Sequence, residues 1–249
     1  MLKKLEEKFR FYFPKHLKNK NRYIKAIKGL NGIEIGGPSF TFSNKGLLPI
    51  YKHIEGLDGC NFSDNTIWEG SLNAGKTYIY FDKKQPGTQF ISEGNDLKDI
   101  KDDTYDFVLS CHNLEHFANP LKALHEWKRI TKKDGHLILV LPNKEKTFDH
   151  NRKVTTLEHV INDYNNKMGE QDNTHFDEVI NFHDISMDAG VNSKDELRER
   201  VYQNFENRCV HHHVFNDQFV KEILQEAGYE VLALDLLQIH IFAVARNIK

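Results

Sequence analysis

The chain has 249 residues, of which 39% are hydrophobic and 28% charged, and its formal net charge is −2. This size fits one large domain, or one domain with an elaborated insertion, in a globular protein. The charge balance excludes a global basic field for nucleic acid, and no apolar run approaches the roughly 18 residues of a membrane span. Cys60, Cys111 and Cys209 are far apart and form no CxxC pair, so neither a disulfide framework nor a thiolate zinc site is predicted. The N-terminus lacks an uninterrupted apolar stretch, so no signal peptide is predicted and a cytoplasmic protein with reduced thiols is expected.

Residues 1–28 carry ten Lys or Arg against Glu6 and Glu7. Leu2, Leu5, Phe9 and Phe13 fall near helical spacing and predict an amphipathic helix up to Pro14. Its basic face is either solvated over a packed helix or laid on an anionic or membrane surface. A short helix is predicted over Arg22–Lys28, before Gly29.

Residues 29–249 read as one α/β domain. Gly32–Ile35 is a strand running into Gly36-Gly37-Pro38-Ser39, and His53–Leu57 is a second strand ending on Asp58. Residues 59–77 have loop composition. Thr77–Phe81 and Gln89–Ser92 are short β-type runs, and Tyr105–Ser110 is a buried strand by its continuous apolar character. Pro120 suits the first turn of a helix whose apolar face is Leu121, Leu124, Trp127 and Ile130, with Asp134-Gly135 as its stop. His136–Leu141 is the next strand, ended by Pro142. Residues 144–213 break the rhythm: they are polar and rich in His and carboxylates, with helical patches at Thr156–Asn166 and Lys194–Phe205. That length exceeds an ordinary connection, so an insertion capping the active site is predicted. A helix at Asn216–Ala227 with Gly228 as its cap, then strands at Glu230–Leu234 and Ile239–Arg246, close the chain. Strand–helix alternation of this kind predicts a doubly wound α/β sheet with a pocket at the C-terminal strand ends.

The small residues at Gly36 and Gly37 let a ligand approach the backbone. An acidic residue at the end of the second strand takes ribose hydroxyls; Asp58 fits by spacing and Asp82 competes with it. Asp96, within Glu93–Leu97, can accept a hydrogen bond from an adenine amine. Trp68 is either an aromatic shelf for a sugar ring or a buried loop anchor.

Glu34-Ile-Gly36-Gly37, Gly94-Asn-Asp96-Leu, Tyr105-Asp-Phe-Val-Leu-Ser110, Leu114-Glu-His116, the Leu121–Gly135 helix and turn, and the Leu-Val-Leu-Pro142 strand end resemble the class I S-adenosylmethionine-dependent methyltransferases, in the small-molecule (type 11-like) branch. The likeness spans about residues 30–143 and 214–246. It implies a mostly parallel seven-stranded sheet with the last strand reversed, and S-adenosylmethionine as cofactor. By position it implies that Glu34 orients the Gly loop, Gly36 and Gly37 line the methionine part, Asp58 binds ribose and Asp96 the adenine amine. Ser110 and His112 then border the sulfonium and the acceptor. The chain departs from the usual Gly-x-Gly-x-Gly at Pro38, which has no backbone donor, and at the bulky Phe40.

Methyl transfer to a hydroxyl needs a proton acceptor or a divalent cation. Asp149 and His150 follow the fifth strand, and His211 and His213 share one face of an extended run. Catalytic candidates are therefore His150, His112 and Asp149, and a metal, if used, has Asp149, His150, His211 and His213 as candidate ligands. The expected reaction is methylation of an oxygen on a small molecule or saccharide, such as a surface polysaccharide or lipid-linked sugar. Two alternatives stay open: an RNA or protein methyltransferase, and a non-catalytic module that binds the cofactor.

Overall fold

The computed structural model describes residues 16–249, so the helix expected up to Pro14 lies outside the described residues. Its first helix, α1 (Lys20–Ile27), buries Tyr23, Ala26 and Ile27. Tyr23 donates its hydroxyl to the Phe242 carbonyl at 3.0 Å, which fastens the helix to the sheet.

The strands in chain order are β1 (Asn31–Ile35), β2 (Gly56–Asn61), the short pair β3 (Asn65–Thr66) and β4 (Gly70–Ser71), β5 (Gly75–Tyr78), β6 (Gly87–Ile91), β7 (Tyr105–Cys111), β8 (Thr131–Pro142), β9 (Tyr229–Leu237) and β10 (His240–Asn247). The main sheet has eight strands in the order β5-β6-β2-β1-β7-β8-β10-β9. From β6 to β8 all pairings are parallel, and β10 runs antiparallel to both its neighbours. The doubly wound α/β sheet expected from the sequence is present, with β5 added antiparallel at one edge.

The remaining helices are α2 (Pro120–Ile130), α3 (Leu157–Asn165), α4 (Phe176–Phe182), α5 (Lys194–Tyr202), α6 (Asn204–Asn207) and α7 (Asp217–Glu226). Asn119 caps α2 by accepting the Lys122 amide, with Pro120 in the first turn. Asn216 caps α7 in the same way through Phe219, and Gly228 follows the helix at φ 80°.

The central strands are mainly apolar because both sheet faces are covered. Val108, Leu137 and Leu139 point to the side packed by Leu124, Trp127, Phe219 and Ile223. Phe107, Leu109, Ile138 and Val140 point to the side packed by Tyr23, Ile27, Phe42 and Tyr51. Between β8 and α7 the helical segment has a small core of its own, with Val179, Ile180, Leu197, Val201 and Val210.

Several expected boundaries move: Thr77–Phe81 becomes β5 at Gly75–Tyr78, and Lys194–Phe205 divides into α5 and α6. His53 closes a 3₁₀ turn (Tyr51–His53), and β2 starts only at Gly56, so Asp58 sits inside the strand rather than at its end. Helix α2 stops at Ile130, and Asp134 takes φ 61° inside an early extension of β8.

Trp127 is fully buried and donates its indole N–H to the Gly94 carbonyl at 2.8 Å, so it couples α2 to the loop after β6. Trp127→Ala is expected to cost about 3–5 kcal/mol of stability in urea denaturation. A loss below about 1 kcal/mol would contradict this packing.

Candidate active site

The C-terminal ends of β1, β2, β6 and β7 open into one cavity of about 350 Å³. Its floor is Ile35 and Gly36 from β1, Cys60, Asn61 and Phe62 from β2, Glu93 and Gly94 after β6, and Cys111, His112 and Asn113 from β7. Pro38, Ser39 and Phe40 close one side. Trp68 and Glu69, on the β3–β4 turn, and Glu170 and Arg208, from the helical insertion, complete the wall.

The turn after β1 is shaped by Glu34. Its wholly buried carboxylate accepts from the Ser39 amide at 3.0 Å, the Ser39 hydroxyl at 2.6 Å, the Tyr51 hydroxyl at 2.6 Å and the Tyr78 hydroxyl at 2.8 Å. Burial pushes its proton affinity up, and these hydrogen bonds oppose the rise. Gly36 takes φ 81°, and a side chain at Gly37 would meet the Glu34 carboxyl carbon at 2.2 Å. Pro38 and Phe40 leave the cavity open, since the Phe40 ring is exposed and stands at its rim.

The other residues singled out from the sequence divide. Gly36 and His112 line the cavity, and Gly37 belongs to its turn, with its carbonyl accepting the Asn61 side-chain amide at 3.0 Å. Asp58 lies outside: its carboxylate accepts from the Thr88 amide at 2.6 Å and the Tyr105 hydroxyl at 2.7 Å. Asn61 stands at the end of β2 in its place. Asp96 is exposed beside Lys98, 3.7 Å away, while Glu93, three residues earlier, faces the cavity. Ser110 is buried in β7 with no partner for its hydroxyl, and Cys111 lines the cavity instead. Asp82, the competing ribose candidate, is exposed and does not line the cavity either.

Within the insertion, His150 pairs with Asp184 at 2.8 Å, away from the cavity wall. Asp149 is buried between Arg152 at 2.9 Å and His211 at 2.5 Å. Burial would raise the Asp149 carboxyl, but His211 and Arg152 hold it well below the usual carboxylate range. Burial opposes the charge on His211, yet Asp149 raises its proton affinity. His213 belongs to another cluster, with His159 and His175. The four candidate metal ligands thus do not converge: Asp149 and His211 form an ion pair, and His150 and His213 go elsewhere.

Sequence reasoning missed Asn61, Phe62 and Arg208. Arg208 donates to Glu93 at 2.7 Å and to Glu170 at 2.9 Å, and so ties the insertion to the loop after β6. Trp68 is 46% exposed, so it is not a buried anchor. Its ring lies 5.8 Å from that of His116, another cavity residue. His116 Nδ1 faces the Val210 carbonyl at 3.1 Å, which makes it the donor and leaves Nε2 as an acceptor. Burial and the nearby His211 hold His116 well below ordinary histidine proton affinity, and burial with His240 and His211 pushes His112 down to about 3. Both imidazoles are neutral at pH 7.

A methyltransferase-domain family model matches residues 7–234. The chain belongs to the methyltransferase-domain family. Among solved structures it is similar to a candidate methyltransferase of Bacillus halodurans (13% identity, 92% of this chain and 98% of that one, TM-score 0.53). An S-adenosylmethionine-dependent methyltransferase of Mesorhizobium loti (9% identity, 91% and 95%, TM-score 0.51) shares the fold as well. So does one of Methanosarcina mazei (13% identity, 91% and 97%, TM-score 0.50). An uncharacterized protein of Methanocaldococcus jannaschii is 52% identical over 46 residues, 18% of this chain and only 20% of that protein. The fold is that of the class I methyltransferases, and the cofactor named for two of these solved structures is S-adenosylmethionine. The cavity fits it: the glycine turn offers backbone without side chains, and the volume lies within the usual range for small-molecule sites.

Glu115 is fully buried between His112 and His211, and neither carboxylate oxygen has a hydrogen-bond partner. Burial pushes it from 4.5 up to about 7. The folded state then keeps a proton that the unfolded chain releases between those values, so stability falls as pH rises through this window. Glu115→Gln removes that slope. Relative to the parent, the variant is expected to gain on the order of 3 kcal/mol between pH 4 and pH 8 in urea denaturation. Parallel pH profiles would contradict a neutral Glu115.

Proposed function

We propose that the protein transfers the methyl group of S-adenosylmethionine to a hydroxyl oxygen of a small, hydroxylated molecule, a saccharide being the best fit. The observation that carries this reading is His116: a cavity-lining imidazole whose Nδ1–H is committed to Val210, leaving a free acceptor nitrogen beside the exposed Trp68 ring. When bound, the cofactor supplies an electrophilic methyl carbon on a sulfonium. Asn61 and Phe62, at the end of β2, meet its ribose, and Glu93 meets its adenine amine, roles first assigned to Asp58 and Asp96. Gly36 and Gly37 line its methionine end, and Glu34 keeps their turn in shape.

Trp68 offers a flat face to a sugar ring, and Glu69, Asn113 and Glu170 offer polar partners to its hydroxyls. His116 Nε2 would take the hydroxyl proton of the acceptor, while the cofactor would supply the methyl group to that oxygen and leave as a neutral thioether. His112 is the second neutral imidazole on this wall, with Nε2 at 2.7 Å from His240 Nδ1, and it orders the acceptor side. His150 and Asp149 act at a distance, by shaping the insertion that closes the cavity. No described helix is long and apolar enough to cross a membrane; with all three thiols free, a cytoplasmic setting and a polysaccharide precursor as acceptor suit this reading.

His116→Gln is expected to lower kcat by about 10²–10⁴-fold with the cofactor dissociation constant unchanged. Turnover at the parent level would remove His116 as proton acceptor. Asn61→Ala is expected to weaken S-adenosylhomocysteine binding by roughly 1–2 kcal/mol in calorimetric titration, while Asp58→Asn leaves it unchanged; the reverse order would restore Asp58 as the ribose ligand. Labelled methyl transfer across hydroxylated sugars, peptides and RNA, with the product bond identified by NMR, tests the acceptor class. A methyl on nitrogen or carbon would refute the oxygen reading.

A further inference from the structure

The His-rich insertion contains a second constellation that methyl transfer does not use. His159 and Asp163 lie one turn apart on α3, His175 precedes α4, and His213 is on the segment that re-enters the core. His159 Nε2 lies 3.2 Å from His175 Nε2 and 3.3 Å from Asp163 Oδ2, and His213 Nε2 lies 3.8 Å from the same oxygen. The ligand atoms of the three histidines fall within 4.8 Å of one another. Asp163 Oδ2 is buried with no hydrogen-bond donor, although its residue is only 7% exposed. His213 is wholly buried, and its Nδ1 has no partner.

Around a tetrahedral zinc with ligands at about 2.0–2.1 Å, neighbouring ligand atoms are about 3.3–3.4 Å apart. The His159–His175 and His159–Asp163 spacings, 3.2 and 3.3 Å, are close to that edge, and His213 stands slightly farther out at 3.8 Å from Asp163. An outer partner stands where such a site needs one on His175: Glu178 is 3.6 Å from His175 Nδ1, and His175 Nε2 is the atom that faces His159. The adjacent histidines are otherwise engaged. His211 is paired with Asp149, and His212 sits between Asn204 at 3.1 Å and Asp172 at 3.5 Å.

We propose that His159, Asp163, His175 and His213 hold a divalent cation of the zinc class. The site is structural. It joins both ends of the loop 166–174, which carries Glu170 to the cavity wall, where Glu170 meets Asn95 at 2.8 Å and Arg208 at 2.9 Å. The cation therefore fixes one wall of the methyltransferase cavity without entering the reaction. His159 is 42% exposed at its side chain, which gives the ion a path in.

The test is titration of the chelator-stripped full chain with cobalt(II) chloride, read by visible ligand-field absorption, alongside zinc analysis of the purified protein. One equivalent of cobalt with tetrahedral-type bands is expected, and zinc should displace it. His159→Gln, at a partly exposed position that tolerates change, should weaken cobalt binding by at least about 10–100-fold. Asp163→Asn should do the same, and His125→Gln, on α2 and outside the cluster, should not. No cobalt bands at tenfold excess, or undiminished binding in His159→Gln, would overturn the site. Both readouts are independent of turnover, so failure here is distinguishable from failure of the methyl-transfer reading.

Discussion

The Glu34 carboxylate is the constraint on which the rest depends. A fully buried charge is costly unless its lone pairs are filled. Here they are filled by Ser39 from the turn itself, by Tyr51 from the 3₁₀ turn before β2, and by Tyr78 from β5. One carboxylate thus draws three separate segments around the end of β1. It explains the extra edge strand, because Tyr78 reaches Glu34 only if β5 lies beside β6. It also explains why the turn is tight: any side chain at Gly37 would collide with the carboxyl group that orders it.

The opposite wall depends on charge pairing rather than on backbone shape. Arg208 lies between Glu93 of the loop after β6 and Glu170 of the insertion, and its guanidinium is 5.2 Å from the centre of the Phe62 ring. Half-buried pairs of this kind gain from geometry more than from net charge, because each ion must give up water. The insertion is therefore part of the cavity, not a detachable cover. Its own order rests on Asp149–His211–Arg152 and, on the reading above, on the cation held by α3 and its neighbours.

The fold was legible because the strongest signals were local. Tyr105–Ser110 and His136–Leu141 are mainly apolar since both faces are covered, with Asp106, Ser110 and His136 as the exceptions, and Pro120 and Asn216 mark true helix starts. The site was legible only where backbone shape dictates sequence, as at Glu34 and Gly36. Asp58 and Asp96 miss the cavity by small shifts. Reading β2 as His53–Leu57 rather than Gly56–Asn61 put Asp58 at a strand end that belongs to Asn61. Choosing Asp96 over Glu93 followed from spacing, whereas the side that faces the cavity depends on how the loop turns through Gly94. Arg208 could not be found at all from local pattern, since its partner Glu93 is 115 residues away in sequence.

A crystal structure with S-adenosylhomocysteine tests the central claim most directly. The account predicts the ligand in the cavity at the ends of β1, β2 and β7, its adenine beside Glu93, its ribose at Asn61, and the four Glu34 hydrogen bonds intact. A ligand bound elsewhere, or a Glu34 side chain released from Ser39, Tyr51 and Tyr78 on binding, would contradict it.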